Sequence, residues 1–456
     1  MIMANRQYKS HNRKKAAKAA PSLPVIRAHA AGIDIGASEM YVSVPIDSSE
    51  TPIGVFGAFT EDLLKLAAWL KECHVETVAM ESTGVYWIPL YELLEEQGFQ
   101  VVLVAPNYPK KPEKSDIEDC QWLQYLHSVG LLSASFRPEE TVCAIRAILR
   151  LRSALVADAS RDILRLQKSL TQMNLLLHNV ISDITGVTGL AIIDAILSGE
   201  RDPKILAQHR DFRIKASIEQ IEKSLRGHYR QEHLFTLRQA RQSYRFHQEQ
   251  IAQCDAQIEL MLRGIDTPDA PPPPDTPYRG RTGRNDIRLS ETSLRDELVR
   301  INGVDLTDIP GVGPNLAAAI FAEVGNDLSK FPTSGHFASW LKTTPAPRIS
   351  GGKILGYAKA PAKPRLGVLI RQAVQSLDRS DSYLGHFYRR LKARIGATAA
   401  NKAAAHKLAT IIYALLTTKK AYDETSFAKA ADKILQKRIS RFHKEAQALG
   451  IQIAPP

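Results

Sequence analysis

Two acids interrupt strand-like apolar runs near the start of the chain. Asp34 lies within Ala31-Gly32-Ile33-Asp34-Ile35-Gly36, and Glu81 ends Thr77-Val78-Ala79-Met80-Glu81. A carboxylate in a run that otherwise favours burial needs a cation or a hydrogen-bond partner, because uncompensated burial is costly. A third acidic element is Lys114-Ser115-Asp116-Ile117-Glu118-Asp119-Cys120. Ser115 followed by Glu118 has the capping-box pattern, which makes Asp116 the first residue of an amphipathic helix carrying Trp122, Leu123, Leu126 and Val129. Asp116 and Asp119 are then neighbours on one helix face. Each acid alone has a plainer reading, since Asp116 and Glu118 complement a helix dipole and a strand Asp can mark a bulge or cap. Together, two from strands and two from a helix, they are hard oxygen ligands suited to Mg²⁺ and to two-metal phosphoryl transfer.

The elements around these acids follow from periodicity. Strand-like runs at Ala31 to Gly36, Met40 to Ile46 and Ile53 to Phe59 have hairpin-compatible spacing and predict an antiparallel meander. A helix at Glu61 to Lys71, a strand at Thr77 to Met80, a helix near Tyr86 to Gln97 and a strand at Gln100 to Val104 continue it. Three strands, helix, strand, helix, strand, helix is the order of a ribonuclease-H-like mixed sheet. In that arrangement the first and fourth strands are neighbours, so Asp34 and Glu81 would face one another.

Beyond the sheet, Ile145, Leu149, Arg152, Val156, Ala159, Ile163, Leu166, Leu170, Met173 and Leu177 step by four and three, a coiled-coil seam with one charged member. A weaker track recurs at Leu234, Leu237, Tyr244, Ile251, Ile258 and Leu262. The pattern predicts an antiparallel helical arm or a stalk that pairs protomers; a long core helix within one chain satisfies it as well. Four consecutive prolines, Pro271 to Pro274, predict a semi-rigid spacer and a domain boundary. The expected organisation is a basic disordered tail at 1–29, a catalytic domain at 30–137, a helical arm at 138–265, a Pro-rich linker at 266–289, a mainly helical domain at 290–422 and a basic helical tail at 423–456.

Composition excludes several classes. The chain has 456 residues, 24% charged and 44% hydrophobic, as a core-forming protein of several domains has. Its Lys and Arg exceed Asp and Glu by 60 to 48, and residues 1 to 27 contain Arg6, Lys9, Arg13, Lys14, Lys15, Lys18 and Arg27 with no acid. Such an arm suits phosphate contacts, or is simply a solvated tail. Cys73, Cys120, Cys143 and Cys254 have no zinc-finger or disulfide spacing, so a reducing cytoplasm is expected. No long apolar run suggests secretion or membrane spanning. The segment from Arg379 to Lys420 interleaves Tyr383, Phe387 and Tyr388 with Arg389, Arg390, Lys392 and Arg394, which suits nucleic-acid contact, although a solvated face over a core stripe would look the same.

The set Asp34, Glu81, Asp116 and Asp119, followed by the coiled coil and a small helical domain, resembles the DEDD transposases of the insertion sequence 110 family, relatives of Piv-type DNA invertases. The stretches Ser182-Asp183-Ile184-Thr185-Gly186-Val187-Thr188-Gly189 and Gly199-Glu200-Arg201-Asp202-Pro203 are similar to family segments, and the resemblance spans about residue 30 to residue 422. It implies an α/β plus α fold: an N-terminal ribonuclease-H or RuvC-like sheet, long coiled-coil helices, and a C-terminal domain with a helix-hairpin-helix-like element, here Ile309-Pro310-Gly311-Val312-Gly313-Pro314. Gly311 and Gly313 would let a phosphate approach the following helix N-terminus.

The resemblance also implies a serine nucleophile before glycines, matched by Ser350 in Pro345-Ala346-Pro347-Arg348-Ile349-Ser350-Gly351-Gly352-Lys353, with Arg348 and Lys353 for phosphate charge. The Lys- and Pro-rich Lys359 to Arg365 departs from a glycine-rich basic segment expected there. Implied too are a Mg²⁺-dependent recombinase that cuts and rejoins donor and target DNA through a 5′-phosphoserine link, a noncoding bridge RNA that delegates sequence reading to base pairing, a homodimer through the coiled coil assembling as a dimer of dimers with active centres shared between protomers, and a cytoplasmic protein that joins the nucleoid when active. Two other readings stand beside it. One is a junction-resolvase-like nuclease using water, with Ser350 only a turn residue; the other is a coiled-coil nucleic-acid-binding regulator.

Overall fold

A computed structural model describes residues 23–82, 84–106, 115–345, 347–357 and 364–425, with 439, 440, 443 and 446. Most of the basic residues of both tails, and Lys359 to Lys363, lie outside the described residues. Contacts divide the chain into two compact units, Met1–Phe136 and Arg137–Pro456.

The first unit is built on β1 (Ala30–Ile35), β2 (Glu39–Ser43), β3 (Ile53–Gly57), β4 (Thr77–Glu81) and β5 (Gln100–Val104), with α1 (Thr60–Glu72), α2 (Trp87–Glu96) and α3 (Asp116–Ser128) around them. The strands form one mixed sheet in the order β3-β2-β1-β4-β5. The meander β1-β2-β3 is antiparallel, and β1-β4 and β4-β5 are parallel. Strand alternation assigns the faces. Ala31, Ile33, Met40, Val42, Val78 and Met80 point into a core completed by Leu66 and Leu70 of α1 and Leu90 and Leu94 of α2. Ala79 and Val104 point the other way and meet Leu123 of α3. Helices on both faces explain why the central strands read as unbroken apolar runs.

Gly32 fixes how closely α3 can approach. A Cβ there would fall 2.2 Å from Gln124 N and 2.5 Å from Cys120 O, so only glycine lets this helix lie on β1. Gln124 Nε2 donates to Ala30 O at 3.2 Å across the same contact. His127, fully buried near the end of α3, meets Thr77 Oγ1 of β4 at 2.9 Å through Nε2. Because that hydroxyl also donates to Gln100 O at 2.9 Å, the imidazole is the donor to Thr77. Part of the expected basic tail belongs to this unit: Ile26 N and Arg27 N both donate to Ser128 O, and Arg27 Nη1 donates to His127 O.

The second unit begins with α4 (Glu140–Gln172), which runs antiparallel to α8 (Gln231–Arg263). Three polar contacts give the register: Arg152 with Asp255, Asp162 with Ser243 and His247, and Ser169 with Thr236. Of the two partners compatible with the heptads, the structure uses the one in the same chain. Arg152, the charged seam member, donates to both oxygens of Asp255 at 2.5 and 3.2 Å and to the carbonyls of Asn285 and Asp286. Between the long helices, α5 (Val187–Ser198), α6 (Pro203–Ala207) and α7 (Ile218–Ser224) pack through Ile192, Ile196, Leu206 and Ile221 against Leu166, Leu170 and Leu237.

The Pro-rich segment has no regular element, yet it is pinned to its surroundings. Arg300 donates to Ile265 O and Thr267 Oγ1, Arg295 to Thr276 O, and Arg284 pairs with Asp183. The helices α9 (Leu294–Asn302), α10 (Pro314–Val324), α11 (Ser334–Trp340), α12 (Arg365–Ser376), α13 (Tyr383–Ile395) and α14 (Ala397–Thr418) follow, with the hairpin β6 (Pro347–Ser350) and β7 (Lys353–Tyr357) set between α11 and α12. Their buried side chains include Phe321, Phe337, Leu341, Ile370, Leu408 and Ile412. Among the described residues no helix is long and apolar enough to cross a membrane.

Candidate functional site

The four acids of the first unit converge on the α3 face of the sheet. Ile33 pairs with Met80, so Asp34 and Glu81 are the next residues along two adjacent parallel strands. Asp34 shares a strand face with Gly32, the point where α3 docks, and Glu81 shares one with Ala79. The same docking brings in the first turn of α3. Ser115 caps it, its Oγ accepting from Glu118 N at 3.2 Å while donating to Glu118 Oε2 at 3.1 Å. This sets Asp116 and Asp119 on that turn.

Electrostatics record the convergence. The Asp34 carboxyl is pushed up to about 6, first by burial, then by the charges of Asp119, Asp116 and Glu81 in that order. Burial and the Asp34 charge together push the Cys120 thiol up to about 12, so this cysteine stays protonated. Among the described residues no three His, Cys, Asp or Glu side chains are placed to hold one metal ion as they stand. The donor set nevertheless has the chemistry of a hard-cation site: carboxylate oxygens, one of them partly desolvated, that repel one another and gain from a divalent ion.

Tyr41 is a neighbour that sequence reading missed. It lies opposite Asp34 on β2, and its hydroxyl donates to Glu39 Oε2 at 3.1 Å. Glu39, with a smaller part from Asp116, holds the phenol above its ordinary value. The alternation of Glu39-Met40-Tyr41-Val42 was the available signal, because it puts Tyr41 on the face of the acids.

In the second unit Ser350 is the last residue of β6, not part of an irregular loop. It pairs with Lys353 across Gly351 and Gly352, whose φ values of 54° and 74° define the tight turn. A Cβ on either glycine would meet nothing within 4 Å, so they serve the backbone and not the space around it. Arg348, Ile349, Ser350 and Lys353 are all exposed. Among the described residues no side chain hydrogen-bonds to the Ser350 hydroxyl.

The other expected nucleic-acid contacts divide. Gly311 and Gly313 border a cavity of about 560 Å³ whose wall also carries Arg146, Arg150 and Arg365. Gly311, at φ 88°, lies so close to α12 that a Cβ would be 3.3 Å from Ala373 O. Arg389 donates to the carbonyls of Asp378 and Ser380 at 3.0 and 2.7 Å, and Lys392 Nζ donates to Asp378 Oδ2 at 2.8 Å. Arg390 and Arg394 are exposed and have no ion-pair partner among the described residues.

Two stretches of the chain match known family models. Residues 31–175, which contain all four acids, match the IS110-type DEDD model, described as a transposase. Residues 305–389, which contain the glycine hairpin, Ser350 and Arg389, match the model described as transposase of the IS116/IS110/IS902 family. No curated protein matches the chain. With one model on the acid-bearing sheet and the other on the serine hairpin, the chain belongs to the IS110 family of transposases, enzymes that cut and rejoin DNA.

Proposed function

We propose that this transposase holds Mg²⁺ on Asp34, Glu81, Asp116 and Asp119 of a RuvC-like sheet, and that Ser350 is the nucleophile that attacks a DNA phosphodiester. The observation that carries the metal reading is the raised Asp34 carboxyl, burdened by three acids from two other elements. Bound there, a divalent ion supplies neutralising charge for the phosphate oxygens and the leaving oxygen. Asp34 and Glu81 are positioned by strand register, Asp116 and Asp119 by the capped first turn of α3.

Ser350 stands at a hairpin tip between Arg348 and Lys353, where a DNA backbone can reach it and the two cations can take up phosphate charge. The bond from Ser350 Oγ to phosphorus forms as that from phosphorus to the 3′ oxygen breaks. The serine gives up its proton, and the departing oxygen leaves as a 3′-hydroxyl. The result is a 5′-phosphoserine link that a second DNA end can resolve.

A noncoding bridge RNA would supply target and donor sequence by base pairing, while exposed Arg390 and Arg394 and the net charge of +12 grip backbones. The working form is a dimer of dimers. Its protomers pair through the coiled-coil arm, where α4 and α8 of one chain leave Leu151, Leu164 and Leu260 exposed. One observation favours a second reading: the Ser350 hydroxyl has no hydrogen-bonded base among the described residues, as a mere turn residue would not, and the acids could then activate water.

The test incubates the protein, Mg²⁺, RNA from the flanking region and labelled donor DNA, and looks on a denaturing gel for DNA that migrates with protein. An adduct formed by the wild type, and lost in Ser350→Ala and Asp119→Asn, is expected. Cleavage without an adduct that persists in Ser350→Ala would overturn the serine mechanism in favour of the nuclease.

A further inference from the structure

The segment between the two long helices, outside both matched regions, carries an aromatic side chain held in water. Phe212 is 85% exposed. Single exposed apolar residues are ordinary. This one is distinguished by the bonding of the loop that presents it. Asp211 N donates to Thr188 Oγ1 of α5 at 2.9 Å, and Asp211 Oδ1 accepts from Arg213 N at 2.9 Å. Ile214 N donates to Asp211 O at 3.0 Å, and the Arg210 guanidinium closes the loop from behind, donating to Ala216 O at 2.7 Å and Ile214 O at 2.5 Å. The ring is therefore displayed on a braced turn while contributing little to the core.

Its surroundings are cationic. From Pro203 to Ser217 the chain carries Lys204, Arg210, Arg213 and Lys215 against a single acid, Asp211. That acid is engaged by Arg213, whose Nε and Nη2 donate to its two oxygens at 2.8 and 3.2 Å. Asp202, just ahead, is engaged as the cap of α6, accepting from Lys204 N. The Arg213 guanidinium carbon stands 5.6 Å from the Phe212 ring centre and remains largely exposed. An exposed ring with an arginine guanidinium over one face, and a lysine two residues on in sequence, matches a base stacked on the other face with its neighbouring phosphates. A second copy of the chain, with the same positive loop, would meet like charge.

We propose that Phe212 is a stacking platform for an unpaired nucleobase of the nucleic acid bound by this transposase, with Arg213 and Lys215 on the adjoining phosphates. Stacking on an aromatic side chain tolerates any base, so the loop would recognise unpaired structure and not sequence. RNA loops and melted DNA ends share this chemistry. The proposal needs only that the chain binds nucleic acid and is independent of which residue cuts.

The full chain is titrated into labelled stem-loops with an unpaired loop and blunt duplexes of equal length, each as RNA and as DNA. Phe212→Ala should weaken binding of the unpaired probes roughly five- to a hundredfold and leave the duplexes and the melting temperature unchanged. Phe212→Trp should restore binding and show fluorescence quenching absent from the wild type. Whichever of RNA or DNA shows the loss is the source of the base. Phe235→Ala, which removes an exposed aromatic ring from α8, should bind every probe as the wild type does. Three results would overturn the proposal: Phe212→Ala binding both stem-loops normally; equal weakening of all four probes; or a drop in oligomeric state without change in binding, which would assign Phe212 to a second copy.

Discussion

The acids of the sheet and the serine of the hairpin are held in opposite ways. Asp34 and Glu81 sit on strands buried on both sides, and α3 can lay its acidic first turn near them only because Gly32 has no side chain. Ser350 sits at the tip of an exposed two-stranded ribbon, set by two left-handed glycines with open space around them. Packing fixes the first site before any ligand arrives and leaves it electrostatically uncomfortable, as the raised Asp34 carboxyl records. Turn geometry alone fixes the second and leaves it accessible. In the proposed mechanism the groups that gather charge are built into the core, and the one that reaches a large substrate is set out in solvent.

Substitutions should therefore separate the two regions by size of effect. The largest is expected for Gly32→Val, whose side chain would collide with the α3 backbone; a loss above about 4 kcal/mol, or no folded protein, should appear in urea melts. Asp255→Ala in the arm leaves Arg152 buried without its carboxylate and should cost about 3–5 kcal/mol, read the same way. Next comes pH. Burial, with a smaller part from Arg27, holds His127 down to about 4 from 6.5. The unfolded chain therefore takes up this proton first, so stability is full above about 6.5 and falls as pH drops toward 4. The loss should be about 2 kcal/mol between pH 7 and 5, and His127→Gln should flatten it. The smallest effect is expected at the hairpin, where Gly351→Ala strains one left-handed residue by about 1 kcal/mol. Global stability should barely move, while the serine adduct falls. A large stability loss there would mean the ribbon is packed and not free.

Much of the first region was legible because its signals are local. Alternation marked the strands, acids breaking apolar runs marked Asp34 and Glu81, and Ser115 with Glu118 marked the start of α3. Gly32 was passed over, since a close approach depends on a helix some ninety residues away and leaves no trace in its neighbours. The heptads of α4 were visible but could not name their partner, because a seam reads alike whether the facing helix is in the same chain or another. Arg152, marked only as an exception, is explained by Asp255 and by two carbonyls of the Pro-rich segment. That segment looked like a spacer because composition registers what prolines prevent, whereas its anchoring comes from distant arginines. Ser350-Gly351-Gly352-Lys353 carries the two adjacent glycines of a tight hairpin, but the flanking strands are too short to alternate visibly.

The proposed chemistry depends most on the carboxylates gathered on the α3 face. Calorimetric titration of Mg²⁺ into the full chain without nucleic acid addresses it directly, with wild type, Asp34→Asn and Asp119→Asn compared and folding checked by melting. Binding in the wild type that weakens at least tenfold in both variants is the predicted result. Equal binding in all three, or none in any, would contradict a metal centre built from these acids.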